Sequence, residues 1–390
     1  GKTKETANEA EQKADEAAQK LAQPITAVPD LLNAATHNVV LAGDAEVQFG
    51  RTTGQHSSFT LADFAPVFLY RANDNILFEA GFDINLQNGG VTLANGQTGN
   101  LGTQTSVTLT FAQLDYTLND YVTIVAGEML LPLGTYTERN AGWLNKIPDD
   151  PLARSVLPES GAGVQLRGAI PVGKTGDAFS YSVYGVNGPG SVDGSGNSTY
   201  TDSNGNVMPN LDLGGNIGIT SNGNNANLNN NPSGGGRLAY FKPFKPHYDV
   251  EAGISGQTGE WDNSGDRWSA FVFDAAVHLS PNFEVKGEYI NSWVGTTDIG
   301  TYQPHGWWIQ GGYKLAGLNL EMPYINNVEL VSRYDTLDDG LGTKTQRATA
   351  GFIYYFTDTL LLEGDYEWLH SRGPNAMPDS GFVLQLSYGF

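Results

Sequence analysis

The sequence predicts an all-β protein, a transmembrane antiparallel β-barrel of about sixteen strands with a short N-terminal α-helical coiled-coil segment before it. Three observations indicate this fold class. Apolar and polar residues alternate along segments of about 9 to 13 residues, close to the length of a membrane strand. Short turns and long polar loops follow one another along the chain, and the last segment is an alternating one that ends in Phe390.

The composition favours strands over membrane helices. The 390 residues include 49 Gly, 18 Tyr and 7 Trp, and aromatic residues are enriched in strands. The mean hydropathy is −0.30, and no run approaches the roughly 18 apolar residues that a membrane helix needs. Because half of each barrel strand faces a polar lumen, this hydropathy does not exclude a membrane protein.

Charge and cysteine content exclude several classes of function. The net charge is −21, which disfavours nucleic acid as a partner, since nucleic-acid binding needs a basic surface. The chain has no Cys, so it has no disulfide framework and no cysteine-ligated metal. We expect no cofactor and no bound metal.

Residues 1–23 differ from the rest of the chain and predict a periplasmic helix. They are rich in Ala, Glu, Lys and Gln, all good helix formers. Small apolar residues recur at the three- and four-residue spacing of a coiled-coil seam, namely Ala7, Ala10, Ala14, Ala17 and Leu21. Because Ala buries little surface, a solvated, half-formed helix is the alternative. Residues 24–37 are read as a linker.

Residues 38–390 are predicted to form the barrel. In NVVLAGDAEVQF, Val47 and Phe49 lie on one side, and Glu46 and Gln48 on the other. Charged residues on such strands are expected to face the lumen, because a Lys or Arg facing lipid costs about 2–4 kcal/mol at mid-depth. The predicted pore-lining residues are Asp44, Glu46, Arg71, Glu79, Asp83, Arg167, Asp249, Glu251, Glu284, Lys286, Glu288, Glu329, Arg333, Arg347, Glu363, Asp365 and Glu367.

The terminal segment GFVLQLSYGF shows the same alternation. Its apolar side chains are expected to face lipid, while Gln385 and Ser387 face the lumen. The polar segments 88–104, 258–267 and 338–345 are predicted to be among the long outer loops.

The loop at 132–160 differs from the other long loops. It contains several Pro and Leu residues and one Trp, and it is nearly free of Asn/Ser repeats. Such a segment is able to pack, so we expect it to fold inward and constrict the pore, with a folded extracellular cap as the alternative. Its candidate constriction residues are Glu138, Arg139, Lys146, Asp149, Asp150, Arg154 and Glu159.

The segments VVLAGDAEVQFGR and TIVAGEMLLPLGTY and the ending LSYGF resemble Gram-negative outer-membrane porins, most closely the phosphate-selective porin O/P-like group. The N-terminal coil is similar to that of dicarboxylate-channel relatives. The resemblance implies a homotrimer in outer-membrane lipid and lipopolysaccharide, a loop that narrows the pore, and Phe390 as the signal for barrel insertion. Both termini are expected in the periplasm, where the coil could meet the cell wall or a periplasmic partner.

One feature departs from that group, in which a ladder of Arg and Lys carries phosphate selectivity. Outside the N-terminal segment this chain has 17 basic residues against 37 acidic ones. Phosphate selectivity is therefore not expected, and the acidic balance favours cations.

The expected function is passive diffusion of ions and small hydrophilic solutes, with a mild cation preference. An anion- or dicarboxylate-selective channel is one alternative, and a plugged adhesive or structural barrel is another. An enzyme is not expected, because none of the six His residues lies in a recognisable nucleophile motif and no HExxH or GxSxG sequence occurs.

Overall fold

The computed structural model describes most of the chain after residue 37. The described residues are 38–52, 56–92, 98–137, 144–173, 175–191, 195–201, 205, 207–212, 232–322, 324–374, 376 and 380–390. The predicted helix at 1–23, its seam and the linker at 24–37 lie outside these residues. Within the described part, no helix has the length and apolarity that crossing a membrane requires.

Sixteen antiparallel strands form one closed barrel, in which each strand pairs with the next along the chain and the last pairs with the first. The strands are β1 (Val39–Thr52), β2 (Ser58–Arg71), β3 (Ile76–Thr92), β4 (Thr98–Asn119), β5 (Val122–Leu130), β6 (Ser160–Val172), β7 (Asp177–Asn187), β8 (Pro232–Lys245), β9 (Tyr248–Glu260), β10 (Arg267–Ser280), β11 (Phe283–Val294), β12 (His305–Lys314), β13 (Val328–Asp338), β14 (Lys344–Tyr355), β15 (Leu360–Arg372) and β16 (Gly381–Gly389). The predicted strand number is confirmed.

The first and last strands close the barrel through a continuous register from Asp44 opposite Gly389 to Thr52 opposite Gly381. Beyond the last strand residue, Gly43 and Phe390 exchange two backbone hydrogen bonds of 3.1 and 3.0 Å. The Phe390 ring stacks on Phe64 of β2, with the ring centroids 5.6 Å apart. The C-terminal residue therefore completes the wall.

Alternation places apolar side chains outside and polar ones inside. On β13, Leu330 and Tyr334 are exposed on the outer face, whereas Glu329, Arg333 and Asp335 are buried on the inner face. Strand β16 behaves as predicted, since its apolar residues point outward and Gln385 and Ser387 are buried inside. Its outward residues are Leu384, Leu386 and Tyr388.

Several predicted loops are shorter in the structure, because strand pairing continues into them. The expected loop at 88–104 is wrong for most of its length, since β3 and β4 remain paired up to Thr92 and Thr98. The loops at 258–267 and 338–345 likewise shrink to 261–266 and 339–343. Backbone pairing satisfies N–H and C=O groups whatever the side chains are, so polar, Gly-rich sequence did not end these strands.

The connection from β7 to β8 holds two short strand pairs. Gly190–Ser191 pairs with Leu211–Asp212, and Thr199–Thr201 pairs with Val207–Pro209. Three short 3₁₀ turns occur in the described part of the chain, at Leu152–Val156, Leu315–Leu318 and Ile325–Asn327.

The two faces of β3 predict opposite responses to a new charge. Ile84 pairs with the exposed Phe64 and so faces outward, whereas Asn85 contacts Asp83 on the inner face. We expect Ile84→Lys to destabilise the barrel by about 2–4 kcal/mol in lipid, and Asn85→Lys to be nearly neutral beside acidic neighbours. Urea unfolding in lipid vesicles measures both variants, and equal losses would contradict the assignment of faces.

Candidate functional site

The segment between β5 and β6, residues 131–159, is called loop 3 here, and its described residues are 131–137 and 144–159. Its first apolar contact is with the inner face of the barrel. Leu133 and Leu157 are fully or almost fully buried and belong to one cluster with Trp268 of β10 and Ile290 of β11. This cluster gives one side of the barrel interior an apolar core, which burial of nonpolar surface stabilises.

A second apolar contact lies on other strands. Ile147 of loop 3 is completely buried with Val331 of β13, Ile353 of β14 and Leu361 of β15. Loop 3 is thus packed against inner residues of β10 and β11 at one point and of β13 to β15 at another.

Polar anchors reinforce this packing. The Glu288 carboxylate on β11 accepts hydrogen bonds from the backbone N–H groups of Thr135, at 2.7 Å, and Tyr136, at 3.0 Å. Lys146 forms ion pairs with Glu284 at 2.9 Å and Glu329 at 2.5 Å. Bonds with one charged partner are stronger than neutral ones, so these contacts hold the first part and the middle of loop 3 to the wall.

Two arginines bind the middle of loop 3 through its backbone. Arg333 of β13 donates to the Asp149 carbonyl oxygen at 2.6 Å, and Arg347 of β14 donates to the Asp150 carbonyl oxygen. Both guanidinium groups also pair with the buried Asp335, and Arg347 pairs with Glu367 at 3.0 Å. These arginines are therefore charge-compensated anchors.

The predicted constriction residues lie in different environments. Asp149 is partly exposed and Asp150 is exposed, although one Asp150 oxygen accepts a 2.8 Å bond from the Tyr136 hydroxyl. Arg154 is buried within loop 3, where it donates to the Leu133 carbonyl oxygen and to the Thr137 hydroxyl. The ammonium group of Lys146 is engaged in its ion pairs with Glu284 and Glu329.

Two loop 3 groups have displaced pKa values. Burial raises the pKa of the Glu159 carboxyl, with the Arg154 charge opposing the shift. Burial also raises the pKa of the Tyr136 phenol, and the charge of Asp150 adds to it. The other predicted residues of the loop, Glu138 and Arg139, lie outside the described residues.

Carboxyl groups gather on the inner faces of β1 to β3. Glu46 lies close enough to interact electrostatically with Asp44, with Asp83 and with Asp150 of loop 3. Asp63 of β2 lies close enough to interact with Asp83. We call these five residues, Asp44, Glu46, Asp63, Asp83 and Asp150, the acidic group.

The acids predicted on β15 continue this pattern. Glu367 and Asp365 both lie close enough to Asp149 of loop 3 to interact with it electrostatically. Glu363 accepts bonds from Gln385 at 3.1 Å and Ser387 at 3.3 Å. All three β15 acids are on the inner face and are buried.

The remaining predicted pore-lining residues mostly have partners. Asp249 contacts His278 at 2.7 Å, and Glu251 contacts Arg237 at 3.4 Å. Lys286 pairs in register with the inward-facing Gln310.

Three others lie on the side of β2 to β6. Arg167 forms an ion pair with Asp115, and Glu79 lies close enough to interact with both. Arg71 lies at the end of β2, largely exposed, and pairs with Asp74 of the following turn at 2.9 Å. It therefore lies at the rim of the barrel.

Sequence reasoning missed several inner charges. Asp63, Asp115 and Asp274 satisfy the same alternation as the predicted acids, so a stricter count along β2, β4 and β10 would have found them. Arg237, which pairs with Asp274 at 2.6 Å, lies in the Gly-rich β8, whose alternation is weak. Among the described residues, no group of three or more His, Asp or Glu side chains is arranged to hold a metal ion.

A closed sixteen-strand barrel with an inward-packed third loop defines the structural class, and solved structures of outer-membrane proteins share the fold. OmpT of Vibrio cholerae in its trimer form aligns with a TM-score of 0.53 at 9% identity, over 90% of this chain and 99% of that one. The anion-selective porin of Comamonas acidovorans gives 0.52 at 11%, over 90% and 99%.

The outer membrane channel DcaP of Acinetobacter baumannii gives a TM-score of 0.51 at 14% identity, over 90% of this chain and 97% of that one. No protein-family model and no curated protein matches the sequence. At these identities the similarity concerns the fold alone. It does not identify the phosphate-selective porins in particular.

The Glu288 anchor predicts a measurable change in loop 3. In Glu288→Gln the N–H groups of Thr135 and Tyr136 bond to a neutral acceptor, which weakens them by about 1 kcal/mol. Hydrogen exchange at these two amides should become about fivefold faster. Glu251→Gln is the control, because its contact is with Arg237, and similar exchange in both variants would contradict the anchoring role.

Proposed function

We propose that the protein is a Gram-negative outer-membrane porin that lets ions and small hydrophilic solutes diffuse passively, with a preference for cations. The acidic group carries this proposal. Its carboxylates on β1 to β3 lie near Asp150, the exposed acid that loop 3 contributes to the group. Rings of carboxylate favour cations. The fold shared with outer-membrane channels supports the membrane location.

The inner arginines do not offset this preference. Arg347 is paired with Asp335 and Glu367, and Arg167 is paired with Asp115. Paired guanidinium groups contribute little net field to the lumen, whereas the charges that act on Glu46 are those of other acids, Asp44, Asp83 and Asp150. Loop 3 is the proposed constriction, and Asp149 and Asp150 are its proposed pore-facing charges.

A second candidate is a plugged structural barrel. It is favoured by the apolar core around Trp268 and Ile290, which fills part of the interior. Conductance separates the two functions, since a plugged barrel passes no steady current.

The acidic group predicts the sign of ion selectivity. Under a KCl gradient across a planar bilayer, the reversal potential should lie toward the potassium equilibrium potential. A charge about 7 Å from a permeating ion in water contributes about 0.6 kcal/mol, which favours K⁺ and disfavours Cl⁻, so Asp83→Asn should lower the potassium-to-chloride permeability ratio about sevenfold. Asp358→Asn, in an exposed turn, is the control. Reversal toward chloride would favour the anion- or dicarboxylate-selective alternative.

We also propose a homotrimer in outer-membrane lipid and lipopolysaccharide, by analogy with the trimer form of the Vibrio protein. Both termini are proposed to be periplasmic, with residues 1–23 as a coil available to a periplasmic or cell-wall partner. Native mass spectrometry should give a protein mass three times 41.8 kDa. A single-chain mass with the conductance intact would exclude the trimer as a requirement for the channel.

A further inference from the structure

The outer face of the barrel differs between its two sides at the loop end of the strands, which is the end that leads into loop 3. On β10 to β13 and on β15, an exposed aromatic side chain faces outward no more than four residues from the loop end. These side chains are Phe271, Trp293, Trp307, Tyr334 and Trp368. Aromatic girdles mark the levels at which a barrel wall meets lipid headgroups, so this side has the features of a lipid-facing wall.

The side formed by β5 to β9 lacks this girdle at its loop end. Alternation from Val164 and Val183, which are 53% and 62% exposed, and the strand register identify its outward residues. Within the same distance of the loop end, the described outward residues include no Phe, Tyr or Trp, and several are small, among them Ala126, Ala162, Gly185, Gly234, Gly236 and Gly256. Small residues let two protein surfaces approach closely within a membrane.

Strand β4, beside this small-residue wall, has a free backbone edge at the same end. It pairs with β3 as far as Thr98, but its register with β5 stops at Ala112. Residues 98–111 therefore have a described ladder partner on one side alone. A free edge presents N–H and C=O groups in a row, which is a template for pairing with another chain.

The sequence around this edge lacks the residues that protect exposed edges. Residues 84–114 contain no Asp, Glu, Lys, Arg or Pro, whereas charged residues and Pro are the usual means of preventing edge contacts. The segment from Thr103 to Phe111 is rich in Thr and other residues that favour strands. The composition thus favours a protein contact at this edge.

The charges indicate that the partner is a second copy of this chain. Each copy has a net charge of −21, so two copies repel one another unless they meet at surfaces without unpaired acids. The segment 84–114 is such a surface. On the outer wall of β5 to β9 near the loop end, Glu128 is 9% exposed and Glu260 is paired with Arg267 at 3.8 Å.

We propose that the loop-end half of β4 to β9 is the contact surface between copies, with the β4 edge of one copy lying on the small-residue wall of the next. The inference rests on the proposed outer-membrane homotrimer and states which wall forms it. Edge and wall are different surfaces, so the contact is heterologous and closes into a ring. Six of the sixteen strands take part, which gives each copy room for two neighbours.

Spin labels at single cysteines test this assignment, because the chain has no Cys of its own. Ala162→Cys on β6 labels the proposed contact wall. Ala350→Cys is the matched control, because Ala350 also faces outward, between Ser332 and Tyr366, and lies on β14, eight strands away on the opposite wall. Double electron–electron resonance on the full-length protein in lipid measures the distances between copies.

We expect short distances for the first label and long ones for the second. A closed sheet of sixteen strands, about 4.8 Å apart and tilted by about 40°, is about 32 Å across. Labels near the axis of a ring of three such barrels are within about 25 Å of one another, and labels on the far walls are more than about 50 Å apart. We also expect Ala162→Trp to raise the dissociation constant of the trimer about tenfold or more by overpacking the contact, and Ala350→Trp to leave it unchanged.

A three-chain mass with equal distances at both positions, or with the shorter distance at position 350, refutes this inference and leaves the trimer. A single-chain mass refutes the trimer and this inference together, and KCl conductance of the same sample decides the channel separately. A complex of one copy with a different protein gives no distance between labels and overturns the assignment of a second copy. Short distances at position 162 in a barrel that passes no current refute the channel and leave the contact surface.

Discussion

Closure of the sheet through β1 and β16 is the constraint on which the rest of the structure depends. A barrel has no free edge, so every strand finds hydrogen-bond partners on both sides. The Gly43 and Phe390 backbone bonds complete this pairing. Once the wall is closed, each strand has one inner and one outer face, and every charge on it is assigned to one or the other.

Loop 3 packs against the inner face of the barrel in the way that a buried segment packs against a protein core. Apolar contacts at Leu133 and Ile147 fix its position, and Glu288, Arg333 and Arg347 satisfy its backbone polar groups. The buried arginines that hold loop 3 are paired with the buried Asp335, as burial of charge requires. The paired charges that anchor loop 3 therefore contribute little to the electric field in the lumen, whereas the charges of the acidic group still contribute to it.

The strand number and the inner position of most predicted charges were accessible from sequence, because a period of two assigns faces without knowing neighbours. The inward packing of loop 3 was predicted from its Pro, Leu and Trp content. Three kinds of feature were not accessible. Arg154 was predicted to face the pore, but its partners lie within loop 3 and are fixed only by how the loop folds. The apolar interior around Trp268 was missed because alternation was read as a polar lumen throughout. The polar segment 88–104 was read as a loop although its backbone is paired.

By itself, the sequence determined that the chain forms a barrel whose strands have the length of membrane strands, with acidic residues inside and an aromatic residue at the end of the last strand. These properties are local and periodic. Only the tertiary structure decided which charges neutralise one another. The ion pairs of Lys146 with Glu284 and with Glu329 join residues that are far apart in sequence. Their partnership depends on strand register and on the path of loop 3, and neither is encoded in any single segment.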